Sequence, residues 1–176
     1  MATSDMRFFD AVNTRRSVRQ FTPEPVPLDV LEAIVQAGLE SPTGCNAQLR
    51  QYVIVTDPAV MDQLRSISKA IDGAPAAIVQ LIEPKCTPWG DYHLQDAAAS
   101  IQSMLLAAVA LGYASCWIEG QVRRSHDQIR GMLNVPATLA VSAILPIGKA
   151  AQQPRRPEKA TLAQSAHYNM YGKQEP

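Results

Sequence analysis

The sequence predicts one domain of mixed α/β or α+β class. Segments with the hydrophobic spacing of helices alternate along the chain with short apolar runs that are typical of buried strands. The 176 residues suffice for a single hydrophobic core. A third observation is an alanine-rich helix candidate that begins at Asp96 and has no polar side chain from Met104 to Leu111. Such a helix is expected to be buried at the centre of the domain.

Two helices are predicted in the N-terminal quarter. The first carries Phe8, Phe9 and Val12 on one face and ends at Asn13–Thr14. Prolines at positions 23, 25 and 27 hold the next segment extended. The second helix ends near Gly38, and its apolar face consists of four residues, Leu28, Leu31, Ile34 and Val35.

Four apolar runs predict strands, at Tyr52–Val55, Ala76–Ile82, Ala114–Ile118 and Leu139–Leu145. A helix with Leu64 and Ile67 directed inward is expected over about Ala59 to Ala70. A shorter helix is expected over about Ser125 to Leu133, whereas Glu83–Tyr92 has the composition of a loop.

The central helix is expected to start at Asp96, whose charge suits the positive end of the helix dipole. It should stop at Gly112 in a left-handed conformation. Its length of roughly 24 Å, interrupted by Ser and Gln, is too short for a bilayer, which needs about 20 apolar residues. The Glu119-Gly120 turn after the next strand could present backbone groups to a ligand.

Composition excludes several classes of partner. The net charge of +0 gives no strong attraction to nucleic acid or to an acidic membrane. The N-terminus lacks the pattern of a signal peptide, so we expect a cytoplasmic protein with reduced cysteines at positions 45, 86 and 116. Neither these cysteines nor the histidines at 93, 126 and 167 show metal-ligand spacing, so no metal site is predicted.

Binding groups concentrate in two segments. Arg15, Arg16 and Arg19 flank Ser17, and guanidinium groups match the geometry of phosphate oxygens. Cations at a helix C-terminus also simply oppose the helix dipole, and the sequence favours neither interpretation. Ser41–Asn46 could offer backbone N–H groups and an amide to a planar ligand, although its composition is more typical of a plain loop.

Taken in order, these segments resemble the nitroreductase family of flavoproteins. The residues that carry the resemblance are RRSVRQF, SPTGCNAQ, DAAASIQSMLLAAVALGYASCWIEG, LNVPATLAVSAILPIG and HYNMYG, between about Phe8 and Tyr171. The resemblance implies an α+β sandwich with a mainly antiparallel central sheet flanked by helices, built as an intertwined homodimer. FMN would lie at the dimer interface, where the central helices meet. The tail, about 160–176, is expected to reach the partner chain.

The resemblance also implies roles for individual residues. Arg15 and Ser17 would face the FMN phosphate or ribityl chain, and Arg19 the pyrimidine end of the ring. The Ser41–Asn46 loop would line the flavin of the other chain. The amides of Glu119 and Gly120 would lie near the flavin atoms N5 and O4. Arg155, Arg156 and Lys159 stay alternatives for completing the phosphate site. The predicted cofactor-binding residues are Arg15, Arg16, Ser17, Arg19, Pro42, Thr43, Gly44, Asn46, Gln48, Ile118, Glu119, Gly120, Arg156 and Lys159.

Some features of the sequence depart from the family pattern or need a separate interpretation. Leu49-Arg50 stands where many relatives have Pro-Trp, and the Glu83–Tyr92 segment is short. Trp89 and Tyr92 could stack on an aromatic substrate or cover the dimer core. Cys45 is interpreted as a small packing residue, because no histidine or base adjoins it.

The function that the resemblance implies is FMN-dependent oxidation of NAD(P)H. One pocket would serve NAD(P)H and then an electrophilic acceptor such as a nitroaromatic, quinone or activated alkene, with ping-pong kinetics. No side chain is predicted to be catalytic, since the flavin carries the chemistry. The alternatives are a relative that reduces a non-nitro substrate and a flavin carrier or sensor with little turnover.

Overall fold

The centre of the molecule is a four-stranded sheet in which every neighbouring pair is antiparallel. A computed structural model describes residues 2–88 and 90–174, so the predicted role of Trp89 lies outside the described residues. The strands are β1 Arg50–Val55, β2 Ala76–Ile82, β3 Ala114–Ser115 and β4 Ala140–Gly148, in the spatial order β1-β2-β4-β3. This sheet confirms the antiparallel α+β arrangement.

Helices cover both faces of the sheet. They are α1 Phe8–Thr14, α2 Leu28–Leu39, α3 Pro58–Arg65, α4 His93–Ala110, α5 Gly120–Arg124, α6 His126–Met132 and α7 Leu162–Ser165. Every residue of β2 is buried, and its side chains alternate between two cores. Val79 belongs to the core that contains residues of α3, α5 and α6, whereas Ile78 belongs to the core under α2 and α4.

Helix α4 starts three residues earlier than predicted, which places Asp96 in its first turn. Gly112 has a φ of 76°, so the left-handed stop that the sequence predicted is confirmed. The Gly112 N–H donates to the carbonyl of Val109, and the Tyr113 N–H donates to the carbonyl of Ala108. These two bonds form a complete Schellman motif, which satisfies carbonyl groups at the helix end. Among the described residues, no helix is both long and apolar enough to span a bilayer.

Some predicted boundaries were wrong. Helix α3 ends at Arg65, and a separate 3₁₀ turn follows at Lys69–Ile71, because the Ser68 hydroxyl accepts from the Ala70 N–H and starts a new turn. The predicted strand Ala114–Ile118 is only two residues long, with an isolated bridge from Ile118 to Ile144 beyond it. Strand β1 is half-buried, because it lies at an edge of the sheet.

Candidate functional site

The sheet brings together two arginine-containing segments, Arg15–Arg19 and the segment 154–159 that follows β4. Phe21 forms a β-bridge with Ala150, and the Thr22 N–H donates to the carbonyl of Lys149 at 2.9 Å. On the other side, the Val18 N–H donates to the carbonyl of Ser115 at 3.0 Å. The segment from Arg15 to Arg19 is therefore fixed between β3 and the chain that leaves β4.

These two segments enclose a cleft of about 500 Å³, which we call the basic cleft. Its lining contains six cationic side chains and no carboxyl group. Within the described residues, none of the six forms an ion pair with a carboxylate. The lining residues are Val12, Asn13, Arg15, Arg16, Ser17, Arg19, Pro154, Arg155, Arg156, Pro157 and Lys159. Uncompensated cations around a hydroxyl group make the cleft suited to an anionic ligand.

The arginines of the first segment differ in what they bind. The Arg16 guanidinium donates to the carbonyls of Asn13 at 2.9 Å and Arg15 at 2.7 Å, so it caps the C-terminus of α1. Arg19 makes one long bond, 3.4 Å, to the carbonyl of Ser17. Arg15 forms no ion pair in the described chain and is half-buried beside Ser17. The helix-capping interpretation therefore applies to Arg16, and the ligand interpretation stays open for Arg15 and Arg19.

Cys116 lies behind this segment and is 2% exposed. Burial raises the pKa of its thiol, while the charge of Arg19 and a hydrogen bond from Ser17 act in the opposite direction. The thiol is therefore kept protonated at neutral pH, which argues against a nucleophilic role. The sequence placed Cys116 in a predicted strand, which in the structure ends at Ser115, and no sequence signal indicated its position behind the cleft.

Five predicted residues, Pro42, Thr43, Gly44, Asn46 and Gln48, lie on a separate loop and do not line the basic cleft of the same chain. The Gly44 N–H in this loop donates to Asp96 Oδ1 at 2.8 Å. A Cβ atom on Gly44 would lie 2.7 Å from the ring of Tyr92, so the ring packs directly on the loop. Cys45 is exposed on the single chain and has a φ of 54°, so it is not packed within the described chain, and its interpretation as a packing residue stays a prediction.

The segment Ile118–Gly120 also differs from its prediction. Ile118 is 3% exposed and exchanges two backbone hydrogen bonds with Ile144. Gly120 begins helix α5, so the predicted open turn at Glu119-Gly120 is a helix start. Both residues are exposed, and neither lines the basic cleft. Arg155, Arg156 and Lys159 are the three predicted alternatives for completing the phosphate site. All three line the cleft.

Comparison with known proteins agrees with this fold. The sequence profile described as the Nitroreductase family matches residues 12–86 and 88–149. A protein from Archaeoglobus fulgidus, provisionally named an NADH dehydrogenase/NAD(P)H nitroreductase, is 27% identical over 142 residues, which cover 78% of this chain and 82% of that protein.

Solved structures share the architecture. A nitroreductase with bound FMN from Bacteroides fragilis has a TM-score of 0.78 and 25% identity, and the match covers 94% of this chain and 100% of that one. A nitroreductase family protein from Clostridium difficile 630 has a TM-score of 0.80 and 24% identity, over 94% of this chain and 99% of that one. Because the family profile covers most of the chain and the same fold recurs in these structures, the protein belongs to the nitroreductase family of oxidoreductases.

Proposed function

We propose that the protein is an FMN-dependent oxidoreductase that uses NAD(P)H to reduce an electrophilic acceptor. The observation that carries this proposal is the basic cleft, in which six cations and Ser17 converge without a carboxyl group. A phosphate monoester with a charge of about −1.5 to −2 suits such a lining. The FMN bound to the similar nitroreductase from Bacteroides fragilis supports the choice of ligand.

The residues present fit a mononucleotide. The cleft volume of about 500 Å³ lies within the usual range for small-molecule sites, roughly 300–1,000 Å³. The chain has no glycine-rich dinucleotide fingerprint, which favours FMN over FAD. Arg15 and Ser17 would bind the phosphate, and Arg155, Arg156 or Lys159 would complete its surroundings. Arg16 would act indirectly, because its guanidinium already binds backbone carbonyls.

The protein would orient the reactants and adjust charge. Bound FMN would supply hydride acceptance and donation at its N5 atom. The positive charge of Arg19 would stabilise negative charge on the reduced ring, and Glu119 and Gly120 would contribute backbone N–H groups. The acceptor would be a nitroaromatic, a quinone or an activated alkene, bound in the position that NAD(P)H had left.

We also propose that the working unit is a homodimer. Large apolar side chains are exposed on the single chain, including Phe8 at 64%, Phe9 at 73% and Tyr171 at 93%. A second copy would cover them, since obligate dimers bury large apolar interfaces. The C-terminal tail would reach the partner, and the Ser41–Gln48 loop would line the partner's flavin. A stable monomer at micromolar concentration in sedimentation would contradict this arrangement.

The deciding experiment is a visible absorption spectrum of the purified protein before and after addition of NADH or NADPH. We expect a yellow protein with about one FMN per chain, bleached by at least one nicotinamide. Initial rates with a quinone should give parallel double-reciprocal plots, because one pocket serves both substrates in turn. Intersecting plots would indicate a second substrate site. A colourless protein that takes up no FMN would refute the proposal, and bound FMN without NAD(P)H oxidation would favour a flavin carrier.

A further inference from the structure

Two buried titratable side chains hold the first half of the Ser41–Gln48 loop by its backbone. Asp96 is 5% exposed, and its Oδ1 accepts from the Gly44 N–H at 2.8 Å. Arg50 is 6% exposed, and its Nη2 donates to the carbonyls of Ser41 at 2.8 Å and Leu39 at 3.1 Å. The loop is therefore fixed at both ends of the Ser41–Gly44 segment, from helix α4 and from strand β1.

The two side chains do not neutralise each other. In the described chain, Arg50 forms no ion pair with a carboxylate, and two of its guanidinium nitrogens have no hydrogen-bond partner. Burying a charge without a counter-ion is unfavourable for stability. A neutral or apolar residue at position 50 would avoid this desolvation. A contribution to stability therefore does not explain why an arginine occupies position 50. Its hydrogen bonds to the loop backbone do explain it.

The rest of the loop is also restricted to one shape. The Ser41 hydroxyl forms a 2.7 Å hydrogen bond with the hydroxyl of Ser103. Tyr92 packs on Gly44 so closely that any side chain there would displace the ring. Cys45, Asn46 and Gln48 have left-handed backbone conformations, with φ between 52° and 54°. Such conformations persist only where the surrounding structure enforces them.

We propose that Asp96 and Arg50 are positioning residues that hold this loop in the shape that contacts the flavin of the partner chain. This inference rests on the proposed function, which assigns Pro42, Thr43, Gly44 and Asn46 to that contact. A loop that is already ordered binds a ligand without the unfavourable entropy of ordering it. Loss of either side chain therefore weakens FMN binding without any change in the phosphate-binding arginines.

The test uses the full-length protein and four single variants. Asp96→Ala removes the acceptor for the Gly44 N–H, and Asp96→Asn keeps an oxygen acceptor of nearly the same shape. Arg50→Leu removes both backbone bonds, and Asp62→Asn is a control on an exposed aspartate that pairs with Arg65. FMN affinity is measured by quenching of flavin fluorescence, well below the unfolding temperature of each variant. Hydrogen exchange of the peptide containing Gly44 is measured on the flavin-free protein.

We expect Asp96→Ala and Arg50→Leu to weaken FMN binding by roughly tenfold or more, with faster exchange confined to the loop. Asp96→Asn should stay within about threefold of the wild type, and Asp62→Asn should match it. A role in stability alone would lower the melting temperature and leave affinity unchanged. If Asp96→Ala does not fold, Arg50→Leu and Asp96→Asn decide the question by the same two measurements.

The outcomes separate the two proposals. A wild-type protein that does not bind FMN overturns the proposed function and this inference with it. A wild type that binds FMN while Asp96→Ala and Arg50→Leu bind equally tightly overturns only the inference. Loss of affinity in Asp96→Asn as large as in Asp96→Ala also overturns it, because the acceptor oxygen would then not be what matters.

Discussion

The basic cleft and the Ser41–Gln48 loop are organised in opposite ways. The cleft is lined by cationic side chains from two segments, and those side chains form no ion pairs within the described chain. The loop presents backbone groups whose positions depend on buried side chains of other elements, Asp96 and Arg50. In the proposed function, one region would recognise a ligand by charge and the other by backbone shape. The two regions should therefore respond differently to salt, to side-chain truncation and to changes in backbone freedom.

The largest expected effect is in the cleft. Arg15→Ala should weaken FMN binding tenfold to a hundredfold, because a hydrogen bond to a charged group contributes about 1.5–3 kcal/mol. The matched control is Arg16→Ala, whose guanidinium already binds the carbonyls of Asn13 and Arg15. Titrations at low and high salt should show the difference shrinking as salt screens the charge. A larger loss in Arg16→Ala than in Arg15→Ala would contradict our assignment of the two residues.

A second prediction concerns the redox potential and separates binding from electronic effects within the cleft. Arg19→Ala should make the flavin potential more negative, on the order of 30 mV or about 1.4 kcal/mol for two electrons, since a positive charge near the reduced ring is lost. Arg19→Lys keeps a charge and should shift the potential less. Spectroelectrochemistry measures both, and an unchanged potential in Arg19→Ala would place this residue away from the ring.

The contrast also explains what could be predicted from the sequence. The arginines and Ser17 were recognisable, because charge and hydrogen-bonding capacity are properties of a residue type. The stop of α4 at Gly112 and the extent of β2 were predicted, since both follow from local conformational preference and hydrophobicity. The buried bonds of Arg50 and Asp96 were not, because they join residues that are far apart in sequence. Helix α5 was missed because a five-residue helix shows no hydrophobic period.

A third prediction tests the strain in the loop. Gln48 has a φ of 52°, a conformation that is unfavourable for a side chain of this type by roughly 1–2 kcal/mol. Gln48→Gly should relieve this strain and, after the greater freedom of glycine in the unfolded chain is subtracted, stabilise the protein by about 0.5–1 kcal/mol. Asn46→Gly is the control and should increase the free energy of unfolding less, because asparagine tolerates the left-handed conformation. Urea unfolding of the flavin-free protein measures both, and destabilisation by Gln48→Gly would show that its side chain holds the loop.

The smallest expected effect concerns two cysteines, Cys116 behind the cleft and Cys45 on the loop. Their reactivity toward a thiol reagent should differ. Cys45 is exposed on the single chain and should react with a thiol reagent in the flavin-free protein, whereas Cys116, 2% exposed, should react only on unfolding. Burial raises the pKa of the Cys116 thiol, so the folded protein keeps a proton that the unfolded chain releases. Stability from this group is therefore complete below the unfolded-state pKa and is lost as the pH rises toward the folded-state value.

This loss begins where the unfolded-state thiol ionises, near its ordinary pKa of about 8.5. Unfolding of the wild type and of Cys116→Ala should be compared between pH 7 and 9, because only the difference in pH dependence belongs to this thiol. Since the charge of Arg19 opposes the effect of burial, Arg19→Ala should raise the pKa of Cys116 further and extend the pH dependence of unfolding to higher pH. If Cys116 reacted as fast as Cys45 in the folded protein, the chain behind the Arg15–Arg19 segment would be open to solvent, and the contrast between the two cysteines would fail.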